Sequence, residues 1–124
     1  MKVCIPTMGN KGWDELVSEH FGRAPTFTMV DLKKNEIKVL RNVGEHMGGQ
    51  GRLPELLASE GIDVLLCSGI GPRAIKMFEQ LGIEVYVGAY GTVQETVQAW
   101  QEKKLQMAND ETICRARRHR CEEE

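Results

Sequence analysis

The chain has no apolar run approaching the ~18 residues that a membrane-spanning helix needs, and its first residues, Met-Lys-Val-Cys-Ile-Pro, lack the long apolar core of a signal peptide. A cytoplasmic location is therefore expected. Charge of one sign is also missing: 16 Lys and Arg stand against 18 Asp and Glu, a formal net charge of -2. No global field argues for nucleic acid. Cysteine is limited to Cys4, Cys67, Cys114 and Cys121. In the expected reducing compartment these are thiols, core residues or metal ligands, not a disulfide frame. A length of 124 residues leaves room for one domain and not two.

Secondary structure follows from the pattern of apolar residues. Lys2 to Thr7, Thr26 to Leu32 and Ile37 to Val43 read as strands, the last two joined as a hairpin by Lys33, Lys34 and Asn35. Leu53, Leu56 and Leu57 follow helical spacing, with Gly61 as terminator. Asp63 to Cys67 is an apolar run that suits a strand buried on both faces. A Gly69 to Gly71 turn follows, then Pro72 at a helix start, with Ala74, Ile75, Met77, Phe78 and Leu81 carrying the helix to Gly82. Ile83 to Val87 is a fifth strand. Thr92 and Glu95 form a capping box ahead of a third helix bearing Val93, Val97 and Trp100. Periodicity fades from Gln106, so 1–105 is read as the domain and 106–124 as a charged tail containing Cys114, His119 and Cys121.

The order β, β, β, α, β, α, β, α implies an α/β protein of three layers, α/β/α. Right-handed crossovers then give a five-stranded mixed sheet of order 3-2-1-4-5 with the second strand antiparallel. Ligands in such sheets bind beyond the carboxyl ends of the strands, at the point where the order reverses. Four segments share that edge: Met8 to Arg23, Gly44 to Arg52, Ser68 to Arg73 and Gly88 to Thr92. They hold most of the 13 glycines, which marks backbone that bends sharply or closely approaches another group. His20 and His46 lie there, with Cys67 at the end of its strand and Arg23, Arg52 and Arg73 each after a glycine turn. Acids are sparse, limited to Asp14, Glu15, Glu19 and Glu45. Imidazole and soft ligands in cationic surroundings suit an anionic metal centre.

Other chemistries fit less well. A two-metal nuclease needs clustered carboxylates, and the first strand has none. Cys67 with His20 or His46 lacks a visible orienting residue for nucleophilic catalysis. A phosphate or nucleotide-type anion module using the Gly69 to Gly71 turn is the main rival, because helix N-termini hold anions. It has no dinucleotide fingerprint and no P-loop lysine. A regulatory protein without a small ligand is a further alternative. In the tail, Cys114, His119 and Cys121 are candidate metal ligands without the spacing of a zinc knuckle.

Ser18 to Ala24 (Ser-Glu-His-Phe-Gly-Arg-Ala), then Phe27 and Asp31, Asp63 to Ala74, Gly82 to Tyr86 and Gly91 to Val93 occur as ordered blocks. In these blocks the chain resembles the dinitrogenase iron–molybdenum cofactor family, nitrogenase accessory proteins and their small stand-alone archaeal and bacterial relatives. The resemblance covers residues 1 to about 105. It implies a ribonuclease H-like fold and a protein that is not an enzyme. Its cargo would be an iron–molybdenum or iron–sulfur cluster, exchanged with a donor or acceptor protein. By position, His20 is the leading ligand, with Gly69 and Gly71 lining the site. The full set of binding candidates is His20, Phe21, Gly22, Arg23, His46, Gly49, Cys67, Gly69, Gly71 and Arg73, of which His20, His46 and Cys67 are the metal ligands.

Overall fold

A computed structural model of the chain describes residues 1–42 and 53–108. Its elements are β1 (Lys2–Thr7), β2 (Thr26–Asp31), β3 (Glu36–Arg41), α1 (Leu53–Ser59), β4 (Val64–Leu66), α2 (Pro72–Gln80), β5 (Glu84–Val87), α3 (Val93–Gln101) and β6 (Gln106–Ala108). One sheet contains all six strands in the order β3-β2-β1-β4-β5-β6. β2 runs antiparallel to both β1 and β3, while β1, β4 and β5 are parallel. The expected order therefore holds for the first five strands, but the expected count of five does not.

The sixth strand is a correction with a clear cause. β6 pairs antiparallel with β5, placing Ala108 opposite Val85 and Gln106 opposite Val87. Gln-Met-Ala carries no alternation or β-branched residue that would announce a strand. It forms because the edge of β5 offers unpaired N–H and C=O groups and Ala108 can be buried there. The sheet thus runs past Leu105, where the domain was expected to end. Tail residues Cys114, His119 and Cys121 lie outside the described residues.

Strand alternation explains the two cores. Cys4, Phe27, Met29, Leu65 and Val85 face α1 and α2, meeting Leu53, Leu57, Ile75 and Phe78. Val3, Ile5, Val30, Val64 and Leu66 face the other way, toward Val93 and Val97 of α3. β4 is buried on both faces, as its uninterrupted Val-Leu-Leu requires. Helix ends follow local chemistry. Pro72 begins α2, Thr92 and Glu95 close a reciprocal capping box on α3, and Gly61 and Gly82 follow α1 and α2 at φ +83 and +77. Among the described residues no helix is long and apolar enough to cross a membrane.

Candidate functional site

The carboxyl ends of β1, β4 and β5 are bridged by the connection that follows β1. Val17 pairs back to Thr7, Leu16 pairs with Thr92, and His20 pairs with Gly69. The connection therefore lies across the sheet edge in place of looping into solvent. At its far end the Phe21 N–H donates to the Gly69 carbonyl at 3.2 Å. The Ser18 hydroxyl donates to the His20 carbonyl at 3.1 Å and accepts from the His20 N–H at 3.4 Å. Gly69 is required by this closeness: a Cβ there would lie 3.2 Å from the Glu19 carbonyl oxygen. Phe21 anchors the segment from below, with its ring 5.7 Å from that of Phe27 and edge-on to Phe78 at 5.5 Å. His20 is left exposed beside a fixed backbone.

Between this segment and α2 lies a cavity of about 630 Å³. Seven of the residues singled out from sequence line it: His20, Phe21, Gly22 and Arg23 on one wall, Gly69, Gly71 and Arg73 on the other. Arg23 and Arg73 are both exposed, and no Asp or Glu occurs among the described lining residues. α2 adds to the positive character. Gly71 is its N-cap with no side-chain cap, Pro72 has no N–H, and the first intrahelical bond is Ile75 N–H to the Gly71 carbonyl. The amides of Arg73 and Ala74, both lining residues, therefore have no partner within the helix. A guanidinium in the first turn opposes the helix dipole. An anion in the cavity would offset both costs.

Cys67 is not part of this cavity. It is 0% exposed, belongs to the core against α1 and α2, and its thiol donates to the Tyr86 carbonyl at 3.5 Å. Burial pushes the Cys67 thiol up to about 12. Cys4, on the same core face, is raised further by burial and secondarily by Cys67. These are core thiols held protonated, and a soft ligand needs the thiolate. Strand position alone could not distinguish the end of a buried strand from the floor of the cavity. His46, Gly49 and Arg52 lie outside the described residues. Among the described residues no three His, Cys, Asp or Glu side chains cluster in a way that could chelate a bare ion.

Sequence reasoning missed four lining residues: Pro54, Ile70, Ala74 and Met77. In the sequence, Ala74 and Met77 count only among the apolar residues that mark α2 as a helix. The available signal was spacing, because Arg73, Ala74 and Met77 fall within one helical turn and share a face.

The model of the family described as dinitrogenase iron–molybdenum cofactor matches residues 1–103. The chain is 32% identical to an uncharacterized protein of Methanocaldococcus jannaschii over 111 residues, covering 86% of this chain and 90% of that one. It is 37% identical over 82 residues to the FeMo cofactor biosynthesis protein NifB of Rhizobium meliloti, covering 60% of this chain but 16% of that larger protein. Among solved structures, the apo form of the orange protein of Desulfovibrio gigas matches with a TM-score of 0.78 at 30% identity, covering 86% of this chain and 92% of that one. The cavity edge is built from the same ordered blocks of sequence that carry the resemblance, and with the match spanning nearly all described residues, the chain belongs to the dinitrogenase iron–molybdenum cofactor family.

Proposed function

We propose that the chain binds and carries an anionic metallocluster of iron–sulfur or iron–molybdenum type in the cavity between His20 and the Gly69 to Gly71 turn, and that it performs no turnover of its own. The observation that carries this reading is the lining: one imidazole and two guanidinium groups, with no carboxylate among the described lining residues. Such a wall repels a bare divalent cation and attracts a polyanion. The family's association with iron–molybdenum cofactor supports a metallocluster as that anion. His20 would ligate the cargo, Arg23 and Arg73 would neutralise it, and the free amides of α2 would donate to its outer atoms. Exposure of His20 leaves the cargo within reach of a donor or acceptor protein. We assign the sheet to the ribonuclease H-like type from its first five strands, and the protein to the cytoplasm.

The same α2 N-terminus and arginine pair also favour a second reading, a phosphate or nucleotide-type anion module. One experiment separates the two. Anaerobic reconstitution with iron and sulfide should give a coloured species whose absorption is lost in His20→Ala, while the melting temperature of the apoprotein stays unchanged. A colourless protein whose melting temperature instead rises with nucleotides would replace the cluster reading with the anion module.

A further inference from the structure

The cavity has a second character that its charges do not explain. Beneath the rim of His20, Arg23 and Arg73, the wall contributed by α2 and its preceding turn is apolar: Ile70, Ala74 and Met77, faced by Pro54 at the start of α1. Met77 is half-buried and lies one turn beyond Arg73 on the same face. Helical side chains lean toward the N-terminus, so a residue covers the surface over the turn that precedes it. The Met77 side chain accordingly lies below Arg73, and the same anion that meets the guanidinium would meet the thioether. Of the described lining residues, Met77 alone carries sulfur.

From this juxtaposition we infer that Met77 sets the selectivity of the site, favouring a weakly hydrated, sulfide-faced anion over an oxo anion of equal charge. The inference rests on the anionic-cargo reading and concerns which anion is preferred. Oxo anions hold water strongly, and a face turned to a thioether and aliphatic carbons loses those hydrogen bonds without replacement. A sulfide face gives up less hydration and gains dispersion contact with the polarizable thioether. Guanidinium N–H groups bond oxygen at least as well as sulfide, so a preference for the thio anion has to come from the apolar wall.

The test uses tungstate and tetrathiotungstate, which share charge and tetrahedral shape and differ in the atoms they present. Their affinities for the full chain would be measured by anaerobic calorimetry. The wild type should prefer the thio anion by about tenfold or more, and Met77→Gln should remove most of that preference by weakening the thio anion while leaving tungstate unchanged. Met77→Leu, apolar and of similar volume, should retain the preference. Circular dichroism melting would confirm that both variants fold. Equal binding of the two anions by the wild type would overturn the inference and leave the anionic-cargo reading standing. Loss in Met77→Leu as large as in Met77→Gln would also overturn it, since the apolar character would then not be the cause. Binding of neither anion would overturn both readings.

Discussion

His20 leads the candidate ligands and Cys67, at the end of a buried strand, suits core and ligand alike; burial separates them. His20 stands exposed at the cavity mouth, while Cys67 is fully buried with its thiol pushed up to about 12. That shift has a consequence for stability. An unfolded thiol titrates near 9.0, so below that pH both states are protonated and the contribution is fully present. Between about 9 and about 12 the unfolded chain loses its proton and the folded chain does not, so stability falls as pH rises across that window. Urea midpoints followed from pH 8 upward should decline, with a slope for this group approaching about 1.4 kcal/mol per pH unit. Cys67→Ala should be less stable at pH 8 yet show a shallower decline. A variant with the wild-type slope would remove Cys67 as the source. Its buried position also predicts that a thiol-alkylating reagent spares Cys67 until the protein unfolds.

Among the elements, the β4–α2 connection has the most specific demands. Its two glycines serve different purposes, and substitution should separate them. A Cβ at Gly69 meets the Glu19 carbonyl oxygen at 3.2 Å, and because that atom is backbone it cannot swing aside. Gly69→Ala should cost about 1–2 kcal/mol by overpacking and loosen the hydrogen bond from Phe21. A Cβ at Gly71 meets nothing within 4 Å, and its φ of -76 suits any residue. In Gly71→Ala the poorer N-cap of alanine opposes the entropy lost from the unfolded chain, so the melting temperature should change less than in Gly69→Ala. Equal melting temperatures for the two variants would show that the His20 segment is not held against Gly69. Other element ends were legible from sequence because they depend on neighbours alone. Pro72, the pair of Thr92 and Glu95, Gly61 and Gly82 act through backbone within a few residues of themselves.

At the level of the whole molecule, the described sheet continues past Leu105 to Ala108. β6 is antiparallel to β5 and seats Ala108 in the core shared with α1 and α2. A chain ending at Ala108 keeps the β6 pairing and the burial of Ala108. A chain ending at Leu105 loses the β6 pairing and the burial of Ala108. At about 0.5–1.5 kcal/mol net per hydrogen bond lost, it should be about 1–3 kcal/mol less stable, lowering the melting temperature by roughly 5–10 °C. Thermal unfolding of the two truncations decides the matter, and indistinguishable curves would mean that β6 adds nothing to the sheet.

The sequence by itself determined what depends on local pattern and connectivity. Period-two and period-3.6 runs assigned the principal strands and helices, and crossover handedness ordered five strands. Those constraints are enough to place His20, Arg23, Gly69 and Arg73 at one edge. Only the tertiary structure decided what depends on partners distant in the chain. β6 exists because β5 has an open edge, and Cys67 is core because α1 and α2 cover it. Met77 lines the cavity because the His20 segment, tied to Gly69, stands away from its face of α2. A helical stripe reads the same whether it meets a packed core or an opening, and the difference is made by residues more than fifty positions away.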